Sequence, residues 1–139
     1  MAILTVDLRS GRTDEQKRAF AAAVLDVVCE ATGEPRENIL LILHENPGIN
    51  FVENAVHLPE LGDTSTKPGG ETDMPLIQCH LSRPLPPDRR KSLMDGLVEA
   101  TIRTLGADPR TITIVLQEHD AANVRELGFA PAEQGKPGG

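Results

Sequence analysis

Leu4, Val6 and Leu8 alternate with Thr5 and Asp7 from Ala2 onward, the period-two pattern of a half-buried strand. Gly11 breaks it. Thr13 opens T-D-E-Q, which puts Gln16 where a capping box needs it. Phe20, Val24, Val27, Val28 and Ala31 then recur at three- and four-residue steps, predicting a helix that stops at Gly33. Beyond Pro35 the run Ile39, Leu40, Leu41, Ile42 and Leu43 is continuous, as for a strand covered on both faces or lying at an interface.

The same pattern starts again at Pro75. Ile77, Cys79 and Leu81 alternate with Gln78, His80 and Ser82, and Pro84, Pro86 and Pro87 mark a turn. Asp88 is the expected cap. Leu93, Leu97, Ile102 and Leu105 form the second helical stripe, Gly106 stops it, and Ile112, Ile114, Val115 and Leu116 form the last strand. Ala2 matches Pro75, Gly33 matches Gly106 and Glu45 matches Glu118, each at an offset of 73. The chain therefore reads as one β-α-β unit written twice. The first unit spans 1–54, a Pro/Gly-rich linker 55–74, the second unit 75–128 and a flexible tail 129–139. The expected fold is α+β: a four-stranded mixed sheet with two helices on one face. The other face would be bare, and the apolar run at 39–43 suggests that copies of the chain cover it.

Aromatic residues make up 2% of the 139, with no Trp or Tyr, so the core must come from Leu, Ile, Val and Ala. A net charge of -7 argues against nucleic-acid binding, which draws on phosphate contacts. The basic run Arg89, Arg90, Lys91 reads as a solvated helix start. No apolar stretch reaches membrane-spanning length. Neither a signal-peptide n-region nor an h-region is present, and Cys29 and Cys79 make no CxxC pair, so a reduced, cytoplasmic setting is expected. No cofactor or metal is indicated. Cys79 and His80 should point to opposite faces of their strand. His44, His57, His80 and His119 have no ligand spacing and read as ordinary polar positions.

Two motifs resemble the 4-oxalocrotonate tautomerase family. Pro75, Gln78 and His80 fit its Pro-hydrophobic-x-Gln-hydrophobic-His opening. Gly11, Arg12, Thr13, Glu15, Gln16 and Lys17 fit its turn into the first helix. The resemblance implies a fused, double-length chain assembling as a trimer. It also implies an N-terminal proline that moves a proton on a small keto or enol carboxylate, or a related lyase or hydratase activity. On that pattern Arg12 anchors a carboxylate and Phe51 walls the site. Beside these stand a surface arginine balancing Asp14 and Glu15, and plain packing for Phe51.

The other positions depart from the pattern. Ala2 stands where the proline belongs, and its amine is available only if Met1 is removed. Pro75 follows Met74, so its nitrogen is a tertiary amide, and it reads as the first residue of a strand unless the chain is cut there. Leu40 and Thr113 replace the strand arginine; Leu85 or Pro86 stands in place of the second turn arginine, with Arg83 and Arg125 nearby. Three functions follow: a tautomerase-type isomerase or related lyase/hydratase of weak or atypical activity, an inactive member keeping the trimer or a ligand pocket, and an unrelated ferredoxin-like ligand-binding domain.

Overall fold

The computed structural model of the protein describes residues 1–61 and 74–125. The strand Ala2–Arg9 (β1) leads into the helix Asp14–Thr32 (α1) and the strand Ile39–Asn46 (β2). A hairpin of Val52–Glu53 (β3) and Val56–His57 (β4) follows. Leu76–Leu81 (β5), Pro87–Leu105 (α2) and Thr113–Glu118 (β6) then repeat the opening unit. The sheet order is β2-β1-β5-β6.

Within each unit the strands run parallel, and the register repeats. Ile3 faces Leu40 in the first unit, and Leu76 faces Thr113 in the second. The units join through β1 and β5, which are antiparallel. There Thr5 faces Gln78, its own equivalent at the offset of 73, so a pseudo-twofold axis passes between them.

The local signals explain the helix ends. The Thr13 side chain accepts from the Gln16 N–H at 3.1 Å, and the Gln16 side chain accepts from the Thr13 N–H at 3.0 Å, a complete capping box. Gly33 and Gly106 end the helices at φ 77 and 68, a conformation glycine adopts without strain. α2 begins differently from the expectation. Pro86 is its N-cap and Pro87 its first residue, while Asp88 lies inside the first turn and caps nothing. Proline suits that position because its missing N–H has no intrahelical acceptor to lose.

Both helices cover one face of the sheet. Leu4, Val6 and Leu8 of β1 and Ile77 and Cys79 of β5 are fully buried against Phe20, Val24, Val28, Leu93 and Leu97. The α2 stripe includes Thr101 as a fully buried member, with Ile102 only half-buried. The Thr101 hydroxyl is buried without loss because it donates to the Leu97 carbonyl at 2.7 Å. One ion pair recurs in both units: Lys17 Nζ to Glu45 Oε1 at 2.7 Å, and Arg90 Nε to Glu118 Oε1 at 3.1 Å. Arg90 is Lys17 moved by 73. The run Arg89, Arg90, Lys91 is thus engaged within the fold: Arg89 donates to the Glu30 carbonyl and Lys91 pairs with Asp95.

The hairpin straddles the expected boundary at 54/55. Residues after it stay tied to the first unit: the Leu58 N–H donates to the Phe51 carbonyl and Arg9 Nη1 to the Pro59 carbonyl. Residues 62–73 of the expected linker and the tail 129–139 lie outside the described residues.

The helices approach closely at Gly96. A Cβ there would lie 2.6 Å from Val27 Cγ1. Val27 is β-branched and cannot swing aside cheaply. Gly96→Ala should therefore lower unfolding stability by about 1–3 kcal/mol in a denaturant titration, and Val27→Ala in the same chain should recover part of the loss.

Candidate active site

The face away from the helices carries three cross-strand rows. Leu40, Ile3, His80 and Gln117 form one; Ile42, Thr5, Gln78 and Val115 the second; His44, Asp7, Leu76 and Thr113 the third. The pseudo-twofold exchanges the first and third rows. The two ends of the sheet are therefore equivalent in backbone and different in side chains.

At the third-row end a cleft of about 420 Å³ opens. Asp7, Leu76 and Thr113 of that row line it, with Asn46, Asn50, Phe51, Glu53 and Pro75. A single helical turn at Gly48–Asn50 places Phe51, whose N–H donates to the Gly48 carbonyl at 2.9 Å. Only glycine fits at 48, since a Cβ would lie 2.3 Å from the Pro59 carbonyl oxygen. Pro75 is buried, and its carbonyl accepts from the Thr113 N–H at 3.0 Å. The structure thus brings Phe51 and Pro75 into one cleft. Arg12 sits in the turn after β1, at the same end. It is 8% exposed, so it is a buried arginine and not a solvated surface one. Gly11, at φ 128, packs against Leu61 and turns the chain there. The described lining of the cleft carries two carboxylates, Asp7 and Glu53, and no cation.

Ala2 lies at the opposite end of β1. At about 3.3 Å per residue, the strand separates it from Arg9 by roughly 23 Å. Ala2 and Arg12 therefore cannot share a site within one chain. Ala2 is fully buried, and the Met1 carbonyl accepts from the Ser82 N–H at 3.2 Å. The Met1 ammonium donates to Glu34 Oε1 at 3.0 Å and to Ser82 Oγ at 2.9 Å. Arg83 Nη2 reaches the same Glu34 oxygen at 3.4 Å while its side chain stays largely exposed. These groups line a small cavity of about 170 Å³ with Thr32 and Leu85.

Sequence reasoning missed Glu34, Ser82 and the contacts of all four histidines. His80 Nδ1 and His119 Nε2 are 2.9 Å apart, with stacked rings. His44 Nδ1 lies 3.5 Å from Asp7 Oδ1. His57 Nδ1 lies 2.7 Å from the Ile49 carbonyl oxygen. The offset of 73 could have flagged one asymmetry, since it maps Asp7 onto His80 and Asn46 onto His119. Cys79 points into the core and His80 to the open face, and burial pushes the Cys79 thiol up to about 12, which removes it as a nucleophile. Among the described residues no three His, Cys, Asp or Glu side chains gather as metal ligands, and no helix is long and apolar enough to cross a membrane.

A model of the family described as "tautomerase enzyme" matches residues 3–53 and 75–125, both repeats and well over half the chain. The chain belongs to the tautomerase family. A probable tautomerase of Bacillus cereus is 47% identical over 45 residues, 32% of this chain and 74% of that protein. A probable tautomerase of Listeria monocytogenes serotype 4b is 42% identical over 45 residues, with the same coverage of 32% and 74%. Each match is about the length of one repeat of this chain. Among solved structures, F6 fused 4-OT, an asymmetric trimer, superposes with a TM-score of 0.82 at 19% identity, covering 96% of this chain and 99% of that one. Malonate semialdehyde decarboxylase superposes at 0.73 with 24% identity, covering 96% and 97%. Family membership replaces the expectation of an unrelated ferredoxin-like domain. The doubled α+β tautomerase fold expected from the repeat is the fold observed.

Burial acts to raise the Glu34 carboxyl, but hydrogen bonds from the terminal ammonium, Asn38 and Arg83 outweigh it and hold the group below its ordinary value of 4.5. A lowered folded-state value means the contribution is present above the ordinary value and is lost as pH falls through the folded one. Glu34→Gln should therefore cost about 1 kcal/mol at neutral pH, discounted for solvent screening. In unfolding titrations the gap to the wild-type chain should close below the ordinary carboxylate range.

Proposed function

We propose that this chain is a fused tautomerase-type isomerase, or a related lyase or hydratase, that moves a proton on a small keto or enol carboxylate with weak or atypical activity. The observation that carries the reading is the cleft that gathers Phe51 and Pro75 at the sheet end where Arg12 is buried. An aromatic wall and a guanidinium at one end of the sheet suit a planar conjugated acid. Since the cleft's described lining is acidic, the substrate carboxylate needs Arg12 or a cation from a neighbouring copy. At the opposite end, the Ala2 amine is the base only once Met1 is gone. Until then the Met1 ammonium is held by Glu34 and Ser82.

We further propose a trimer. Leu40, Ile42 and Val115 are 44%, 40% and 43% exposed on the open face, an apolar patch that assembly would cover. The fused 4-OT relatives were solved as trimers. Sedimentation should give three times the 15.0 kDa chain mass, and Ile42→Glu should reduce it to one.

A second reading is an inactive member that keeps this scaffold or a ligand-binding role. It is favoured by the Pro75 amide nitrogen and by the occupied Met1 ammonium. Intact mass establishes whether Met1 is removed, and ketonisation of phenylenolpyruvate separates the two readings. The isomerase reading expects turnover above buffer. Arg12→Ala should lower kcat/KM roughly ten- to a hundredfold, the worth of a charged hydrogen bond. Turnover no faster than buffer supports the inactive reading. Unchanged turnover in Arg12→Ala removes that residue as the anchor.

A further inference from the structure

The cleft holds a proline that cannot act as a base, yet another candidate base stands at its edge. His44 is the β2 member of the third row, and the other three, Asp7, Leu76 and Thr113, all line the cleft. Asn46, two residues further along the same face of β2, lines it as well. His44 Nδ1 lies 3.5 Å from Asp7 Oδ1, with the imidazole half-exposed and the carboxylate more shielded at 29%. That is the arrangement of an imidazole oriented by a carboxylate, at a separation common in ligand-free sites. It leaves Nε2 as the ring nitrogen to exchange a proton.

The pairing is peculiar to this end. The repeat equivalents of Asp7 and His44 are His80 and Gln117, and His80 is engaged with His119. The carboxylate–imidazole pair therefore stands with its carboxylate in, and its imidazole at the edge of, the cleft whose proline nitrogen is an amide.

We propose that His44 is the general base of the Phe51–Pro75 cleft and that Asp7 positions it. This rests on the keto–enol reading above. His44 Nε2 takes the enol O–H proton. The O–H electron pair becomes the carbonyl π bond, and the C=C pair takes a proton at carbon from the imidazolium or from water. The imidazole is regenerated, directly or by losing its proton to water, and the product is an isomer of the substrate. Asp7 holds the ring through Nδ1 and stabilises the transient imidazolium.

The test uses the full chain and phenylenolpyruvate, with circular dichroism and sedimentation run on each variant. His44→Ala should lower kcat at least about a hundredfold with little change in KM, and added imidazole should restore turnover in proportion to its concentration. Asp7→Asn should lower kcat less, and added imidazole should not restore it. If His44→Ala misfolds, Asp7→Asn carries the test through the same split of kcat from KM. Wild-type turnover that survives in both variants, and is lost instead when the terminal amine is acetylated, overturns the His44 assignment and leaves the isomerase reading standing. No wild-type turnover above buffer overturns both.

Discussion

The antiparallel pairing of β1 with β5 is the constraint on which the rest of the structure depends. Each β-α-β unit alone has one helix over two strands and too little apolar surface for a secure core. Pairing Thr5 with Gln78 across a pseudo-twofold makes one sheet of four strands. It brings α1 beside α2 and merges two half-cores around Phe20, Leu93 and Leu97. It also decides that the two helices share a face. The opposite face, with Leu40, Ile42 and Val115, is left without cover inside the chain.

The same pairing places the start of one unit beside the end of the other. That is why Pro75, the first residue of the second unit, meets Phe51 from the first. Where the repeat serves the scaffold, it has been kept. Gly33 and Gly106 end their helices alike, and Lys17–Glu45 recurs as Arg90–Glu118. At the helix crossing the residues differ but still fit: Val27 against Gly96 in one position, with Ala100 and Ala23 as their equivalents. At the sheet ends nothing compels the halves to agree. The repeat equivalent of Ala2 is Pro75, that of Asp7 is His80 and that of Asn46 is His119.

What was legible in the sequence was local or periodic. The strand alternation, the capping box and the glycine stops are each set within a few residues, and the repeat made them mutually supporting. Three adjacent signals at Pro84, Pro86 and Pro87 hid the true helix start, so Asp88 took a role that Pro86 holds. The apolar spacing points to Ile102, whereas the structure buries Thr101, whose hydroxyl is satisfied by the carbonyl of the preceding turn. The hairpin at 52–57 is too short for a periodic signal. The site was less legible than the fold. A family motif lists Ala2 and Arg12 together without saying that a strand holds them apart. The pairs Asp7–His44 and His80–His119 arise from cross-strand register and sheet-end geometry, and Met1–Glu34 from a contact across 33 residues. None of these is visible until the strands are aligned.

Native-state hydrogen exchange tests the central pairing most directly. If β1–β5 makes the two repeats one cooperative unit, the slowest amides of β1, β5, α1 and α2 should converge on a single opening free energy as denaturant is added, equal to that of global unfolding. Two separate isotherms, one for β1, α1 and β2 and another for β5, α2 and β6, would contradict it, since the units would then open independently.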